Sequence, residues 1–129
     1  MNLEITGIYA SLLSLLMIGL SIRVSLARGK AGISLLDGGN REVAERMRMH
    51  GNFIETVPIA LILMAIAESQ QASFLIVNAI GLSLLAGRLM HPFGISYEKP
   101  AAIFRAAGML ATFLSMLISV AFILWKAIT

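Results

Sequence analysis

The sequence predicts an all-α integral membrane protein folded as a four-helix bundle. Hydrophobic residues make up 58% of the 129 residues and charged residues only 13%, whereas about a quarter of a typical soluble domain is charged. The mean hydropathy is +0.87, and the charged residues divide the chain into four long apolar stretches. A soluble domain of this length cannot hide so much apolar side chain from water. We therefore predict one membrane domain over residues 1–129.

Each of the four apolar stretches is long enough to cross a bilayer. In chain order they contain 18, 19, 19 and 20 residues, and only the second contains a charged residue, Glu55. The first lies between Glu4 and Arg23 and the second between Arg48 and Glu68. The third lies between Glu68 and Arg88 and the fourth between Arg105 and Lys126. Crossing the hydrocarbon takes about 20 helical residues, and a helix satisfies its own backbone hydrogen bonds in lipid. These limits predict helices at 5–28, 40–67, 71–91 and 100–126.

Several other classes of protein are disfavoured. A soluble bundle needs polar outer faces, which segments such as Leu82–Ala86 do not offer. The first stretch lacks the basic start of a signal peptide, so it is interpreted as a retained span. The absence of cysteine excludes disulfides and thiolate metal ligands, and two distant histidines do not predict a metal site. No exposed face combines basic and aromatic residues, so nucleic-acid binding is not expected.

The basic residues predict the orientation in the membrane. Nine of the ten lysines and arginines flank the first and third connections, and only Lys126 lies at the other end. Basic residues accumulate on the cytoplasmic side. Both termini are therefore predicted on the non-cytoplasmic side.

Local signals agree with these helix limits. Asp37, Gly38 and Gly39 indicate a loop after the first helix. Asn40 is a suitable N-cap for the second helix, and Pro92 cannot continue the third. Pro100 suits the first turn of the fourth helix.

A polar stripe on the second helix is the most informative feature for function. Its members are spaced by 4, 3, 4 and 3 residues and therefore share one face: Arg41, Glu45, Arg48, Asn52 and Glu55. His50 lies roughly opposite. An acid in the membrane is costly unless it is paired or hydrated. Two interpretations stay open: Glu55 pairs with an arginine of another helix and fixes the packing, or the stripe lines a pocket for a zwitterionic or anionic ligand.

Three further residues lie at the same predicted depth as Arg48. Arg88 and His91 are three apart and share a face of the third helix, and Arg105 opens the fourth apolar stretch. They are candidates for the opposite wall of a pocket. Arginines at this depth are also common as interfacial anchors whose head groups reach water, so Arg88 and Arg105 remain open to that interpretation.

Segments from all four helices resemble one family. The run Arg48-Met49-His50-Gly51-Asn52-Phe53-Ile54-Glu55-Thr56-Val57-Pro58 resembles the second-helix signature of the MAPEG family, the membrane-associated proteins of eicosanoid and glutathione metabolism. The similarity includes Tyr9–Leu13, Asp37–Gly39, Gly87–His91 and Arg105–Met109. The chain is most similar to the short bacterial members, so the resemblance implies a bacterial inner membrane.

The resemblance implies a homotrimer with glutathione as co-substrate, bound in three sites between neighbouring subunits near the cytosolic side. Pairs of small residues permit close helix contacts in such an assembly: Ser83 with Gly87, Ala107 with Ala111, and Gly108 with Thr112.

The resemblance also implies roles for individual residues. Arg105 matches the arginine that activates the thiol of glutathione. The implied glutathione-binding residues are Arg48, His50, Asn52, Glu55, Arg88, His91 and Arg28. Within this set Glu55 would take the ammonium group and Arg48 a carboxylate. The implied reaction is conjugation to a hydrophobic small molecule from the membrane lipid, or reduction of a lipid hydroperoxide.

The sequence departs from the family pattern at the end of the third helix. Ile95 stands where other members have a tyrosine, and Tyr97 comes two residues later. This departure favours a non-catalytic, lipid-binding family member as an alternative. A small multidrug exporter is a third possibility, but such exporters resemble one another in a glutamate in their first helix. Here that stretch has no charge between Glu4 and Arg23.

Overall fold

The computed structural model describes residues 2–98 and 101–129, which form four long helices. They are α1 (Glu4–Ala31), α2 (Arg41–Ser69), α3 (Phe74–Met90) and α4 (Ala102–Ile128), with a 3₁₀ turn at His91–Gly94 that continues α3. All four helical segments are long and apolar enough to cross a membrane. The predicted all-α membrane four-helix bundle is therefore confirmed. The predicted start of the fourth helix at Pro100 lies outside the described residues.

The helix ends agree with the predicted limits to within about three residues, and local backbone geometry explains the differences. The Asn40 side chain accepts a hydrogen bond from the Val43 amide at 3.1 Å, which confirms the predicted N-cap. The first helix runs past residue 28 until Gly32 ends it in the left-handed conformation, with φ of 68°. The third helix begins at Phe74 rather than at residue 71, because Gln71 has a φ of 64° and cannot be helical.

Helices α3 and α4 meet along a seam of small residues, comprising Ser83, Gly87, Gly108, Ala111 and Thr112. The Ser83 hydroxyl donates to the Ala111 carbonyl at 2.7 Å. A Cβ atom on Gly87 would lie 2.6 Å from the Gly108 carbonyl oxygen, so the backbones touch. The sequence predicted close helix contacts at these residues, and the structure confirms such contacts. The protomer itself uses these residues to bring two of its own helices together.

The buried face of α4 is small and polar, whereas its outer face is large and apolar. Thr112, Ser115 and Ser119 are fully buried, and each hydroxyl donates to a carbonyl of its own helix. Leu110 and Leu117 are exposed. This arrangement suits a helix surrounded by hydrocarbon, because close packing and satisfied polar groups, rather than the hydrophobic effect, hold helices together there.

Helices α1 and α2 run antiparallel and are tied together at their far ends. The Glu68 carboxylate, near the end of α2, accepts hydrogen bonds from the Ile5 amide at 3.0 Å and the Thr6 amide at 2.8 Å. These are two of the first backbone donors of α1, which no side chain of α1 itself caps. At the opposite end of the bundle, α2 and α4 approach each other beside the 3₁₀ turn, and the candidate site lies there.

Candidate functional site

A cleft of about 470 Å³ opens between α2, the 3₁₀ turn and α4. We call it the arginine cleft. Its lining residues are Arg48, Asn52, His91, Ile95, Ala102, Arg105, Ala106 and Met109. Its volume falls within the range of about 300–1,000 Å³ that is usual for small-molecule sites. The structure thus brings together four of the residues that the sequence selected, from three separate elements.

Arg48 and Glu55 form an ion pair along the outer face of α2. The two guanidinium nitrogens of Arg48 lie 3.1 and 3.3 Å from the two carboxylate oxygens of Glu55. Their side chains remain 59% and 53% exposed. The expected clamp between Glu55 and an arginine of another helix is therefore wrong for this protomer, since the partner is two turns away on the same helix. The pair faces outward at the edge of the arginine cleft.

Arg88 is the side chain that joins helices at this depth. It is only 1% exposed, so the interpretation of Arg88 as an interfacial anchor is wrong. One terminal nitrogen donates to Asn52 Oδ1 at 2.8 Å and to Thr56 Oγ1 at 3.2 Å. The other lies 3.3 Å from both the Gly108 carbonyl oxygen and the Met109 sulfur. All four acceptors are neutral, and Nε has no partner among the described residues. Arg88 therefore adds an uncompensated positive charge behind the cleft wall.

The contact with Arg88 also fixes how Asn52 faces the cleft. A guanidinium can only donate hydrogen bonds, so the amide oxygen of Asn52 must point towards Arg88. The amide NH₂ group is then left for the cleft, which Asn52 lines. Asn52 consequently presents a hydrogen-bond donor to any ligand, as Arg48 does.

Arg105 is exposed at the first turn of α4, and His91 is buried opposite it. A glycine that sequence reasoning missed sets the position of Arg105. A Cβ atom on Gly94 would lie 2.4 Å from the Arg105 amide nitrogen, so only glycine allows α4 to begin this close to the 3₁₀ turn. The one available signal was that Gly94 follows Pro92 in the segment where the helix had to end.

The remaining selected residues lie away from the cleft lining. The Arg28 guanidinium donates to the Ser34 carbonyl in the loop that follows α1. His50 is partly buried on another face of α2. Tyr97 is exposed, and the Arg41 guanidinium carbon lies over its ring, 5.7 Å from the ring centre. Ile95, the residue at the tyrosine position, lines the cleft. The described residues contain no group of three or more potential metal ligands.

A second, apolar groove of about 220 Å³ lies between α1 and α2. Leu13, Met17, Phe53 and Pro58 are among its lining residues. It shares α2 with the arginine cleft but faces another direction. The membrane-depth surface of this helix therefore offers a polar site and an apolar site side by side.

The sequence of this four-helix membrane protein places it in a known family. The sequence profile of the MAPEG family matches residues 6–125, and the chain belongs to this family. The chain is also similar to the inner membrane protein YecN of Escherichia coli strain K12 and to the YecN of Escherichia coli O6:H1. Each is 36% identical to it over 121 residues, which cover 94% of this chain and 91% of the relative.

Proposed function

We propose that the protein is a glutathione-dependent membrane transferase or peroxidase acting on hydrophobic electrophiles. The observation that supports this function best is the charge of the arginine cleft. Arg48 and Arg105 line it, Arg88 lies directly behind it, and no acid is among the described residues that line it, while Glu55 pairs with Arg48. Such a cleft favours a ligand with more negative than positive groups.

Glutathione fits this set of residues by its chemistry. It carries two carboxylates, one ammonium group and one thiol. Arg48 and the NH₂ group of Asn52 are donors suited to a carboxylate, and Glu55 is an acceptor suited to the ammonium group. When glutathione binds, Arg48 would exchange its contact with Glu55 for a ligand carboxylate, and Glu55 would contact the ligand ammonium group.

Arg105 is proposed to activate the thiol. The thiolate is the reactive form, and a free thiol has a pKa near 8.5. A neighbouring guanidinium favours the charged form, and lowering the thiol pKa by about two units corresponds to roughly 2.7 kcal/mol. With an aryl chloride, a carbon–sulfur bond forms, the carbon–chlorine bond breaks, chloride leaves and the thiol proton passes to water.

The exposure of Arg48 and Glu55 supports a homotrimer with sites between subunits. Glu55 lies 14 residues into α2, about 21 Å along its axis from Arg41, where an ion pair facing acyl chains would be costly. A neighbouring subunit or a hydrated cleft between subunits would remove this cost. We further propose that the arginine-rich end is cytoplasmic, that both termini are on the other side, and that the protein resides in the inner membrane, as the name of YecN states for that relative.

The test compares Arg105→Ala with Lys126→Ala, which removes an exposed cation at the opposite end. Purified protein in detergent is titrated calorimetrically with glutathione, and turnover is measured with chlorodinitrobenzene. Arg105→Ala should bind glutathione but lose the ultraviolet absorbance of the bound thiolate, and turnover should fall roughly tenfold or more. Lys126→Ala should behave as wild type. An unchanged thiolate signal in Arg105→Ala would remove that arginine from its role, and wild type that binds no glutathione would refute the proposed function.

One observation favours a second candidate, a non-catalytic member of the family that binds lipid. Ile95 stands in the cleft wall, and no hydroxyl side chain is among the described residues that line the cleft. Lipid bound to purified wild-type protein, together with no turnover of chlorodinitrobenzene, would favour this function over the first.

A further inference from the structure

A third hollow lies between α1 and α2, on a different side of α2 from the arginine cleft. We call it the basic groove. It has a volume of about 210 Å³ and is lined by Arg23, Leu26, Ala27, Lys30, Glu42 and Arg46. It shares no residue with the arginine cleft. Arg46 and Arg48 are two residues apart, and a helix turns by about 200° over that distance, so they point to opposite sides of α2.

The basic groove has an excess of positive charge. Three of its lining residues are cationic and one is acidic. The acid, Glu42, lies 3.7 Å from Arg46 on the same helix. Within residues 2–98 and 101–129, neither Arg23 nor Lys30 has a carboxylate oxygen within 4 Å. Two cations from α1 therefore face the groove without an anionic partner.

The position of the groove along α1 matches the boundary between hydrocarbon and polar head groups. Arg23 is the first charged residue after the apolar stretch of α1. Lys30 follows two turns later, about 10 Å further along the helix axis. Between them Leu26 is 67% exposed, and Ile22, one turn below it, is 52% exposed. Cations thus line the groove beside an exposed apolar surface.

We propose that the basic groove binds the phosphate of an anionic phospholipid, with an acyl chain lying along Ile22 and Leu26. The charge requires an anion, and basic pockets between membrane helices on the cytoplasmic side are suited to anionic head groups. The exposed Leu26, which lies between the two cations, and Ile22, one turn before it, favour a lipid over free phosphate. Cations that serve only as anchors would reach water separately, whereas these come from two helices and surround one hollow.

The test measures lipid retained by the purified full-length protein in native mass spectrometry. Phosphatidylglycerol and phosphatidylcholine are added in detergent at matched concentrations, and inorganic phosphate is added in a separate arm. Wild type should retain phosphatidylglycerol in preference to phosphatidylcholine. Each of Arg23→Gln and Lys30→Gln should weaken retention about fivefold, since one cation near a membrane surface contributes about that factor. The charge-matched control Lys126→Gln, at the other end of the bundle, should leave retention unchanged.

Three results would overturn the proposal. The first is equal retention of the two lipids by wild type, and the second is an equal loss in Lys126→Gln and the two groove variants. The third is displacement of the lipid by inorganic phosphate at equal concentration, because the apolar surface would then contribute nothing.

The groove cations make no described hydrogen bond or ion pair except that of Arg46, so both single variants should melt within a few degrees of wild type. The double variant Arg23→Gln/Lys30→Gln should then lose retention about 25-fold.

Discussion

The seam between α3 and α4 and the outer face of α2 both place polar groups at membrane depth, but the two regions differ in how far these groups are buried. In the seam Thr112 is buried and Ser83 is partly buried, and their hydroxyls donate to backbone carbonyls. On α2 the pair Arg48 and Glu55 is more than half exposed. The protomer thus covers the first set by its own packing and leaves the ion pair of the second set exposed.

Arg88 links the two regions. It contacts the Gly108 carbonyl in the seam and the Asn52 amide beside the arginine cleft. The difference between the regions therefore separates buried polar groups that hold helices together from an ion pair that stays exposed on one helix. The following substitutions test this division, in order of decreasing effect.

Gly87→Ala should have the largest effect on stability. The added Cβ would lie 2.6 Å from the Gly108 carbonyl oxygen and 2.9 Å from Thr112 Oγ1, so the two helices must separate. We expect a loss of about 3 kcal/mol in the free energy of unfolding, measured by denaturant unfolding in detergent. Gly19→Ala is the control, because nothing lies within 4 Å of its Cβ and alanine is the better helix former. Equal effects of the two would mean that the seam is not closely packed.

Arg48→Ala should show the opposite pattern, a small effect on folding and a large one on binding. An exposed ion pair contributes less than about 1 kcal/mol to stability. Loss of a charged donor to a ligand carboxylate should weaken glutathione binding by about 2 kcal/mol, or roughly thirtyfold, in calorimetric titration. Arg23→Ala removes an exposed arginine outside the arginine cleft and should leave glutathione affinity unchanged. A stability loss in Arg48→Ala as large as that in Gly87→Ala would erase the distinction between the two regions.

Arg88→Met should weaken glutathione binding about tenfold, because Asn52 is then free to turn its amide oxygen into the cleft. Its effect on stability should be smaller than that of Gly87→Ala, since methionine fills similar space and removes a buried charge. Arg88→Lys can still donate to Asn52 and should restore most of the affinity. If methionine and lysine reduce affinity equally, Arg88 does not position Asn52.

Glu68→Gln tests the other end of the bundle and should have the smallest effect. The Ile5 and Thr6 amides donate to different carboxylate oxygens, so the neutral amide keeps one of the two acceptors and loses the charge that strengthens the bond. We expect a loss of about 1 kcal/mol in the free energy of unfolding. Glu4→Gln, an exposed acid in the same region, should change it by less than about 0.5 kcal/mol. Loss of glutathione affinity in Glu68→Gln would show that the two ends are coupled.

The number of helices and their approximate limits could be predicted from the sequence, because both depend on local chemistry. Apolar stretches of bilayer length predicted the four spans, and Asn40 predicted the start of α2. The periodicity of α2 also placed Arg48, Asn52 and Glu55 on one face, as the structure shows. The start of α3 was missed by three residues because the left-handed Gln71 has no strong sequence signal.

Contacts between helices could not be predicted in the same way. Spacing shows which residues share a face but not which helix that face meets, so the small residues of α3 and α4 could be assigned to either an internal or an external contact. Arg88 has the same local pattern as an interfacial anchor, and only the approach of α2 and α4 buries it. The role of Gly94 depends on how closely the start of α4 approaches the 3₁₀ turn. The conformation of the connection between them sets this distance, and sequence patterns do not predict it.

The cap that Glu68 provides for α1 has a consequence for the length of chain that can complete this helix. The acceptor lies 63 residues after the first amide that it binds, so a segment that contains α1 alone lacks this acceptor. A segment that runs to the end of α2 contains it. The first two helices therefore form the smallest part of the bundle in which the amino end of α1 has its cap.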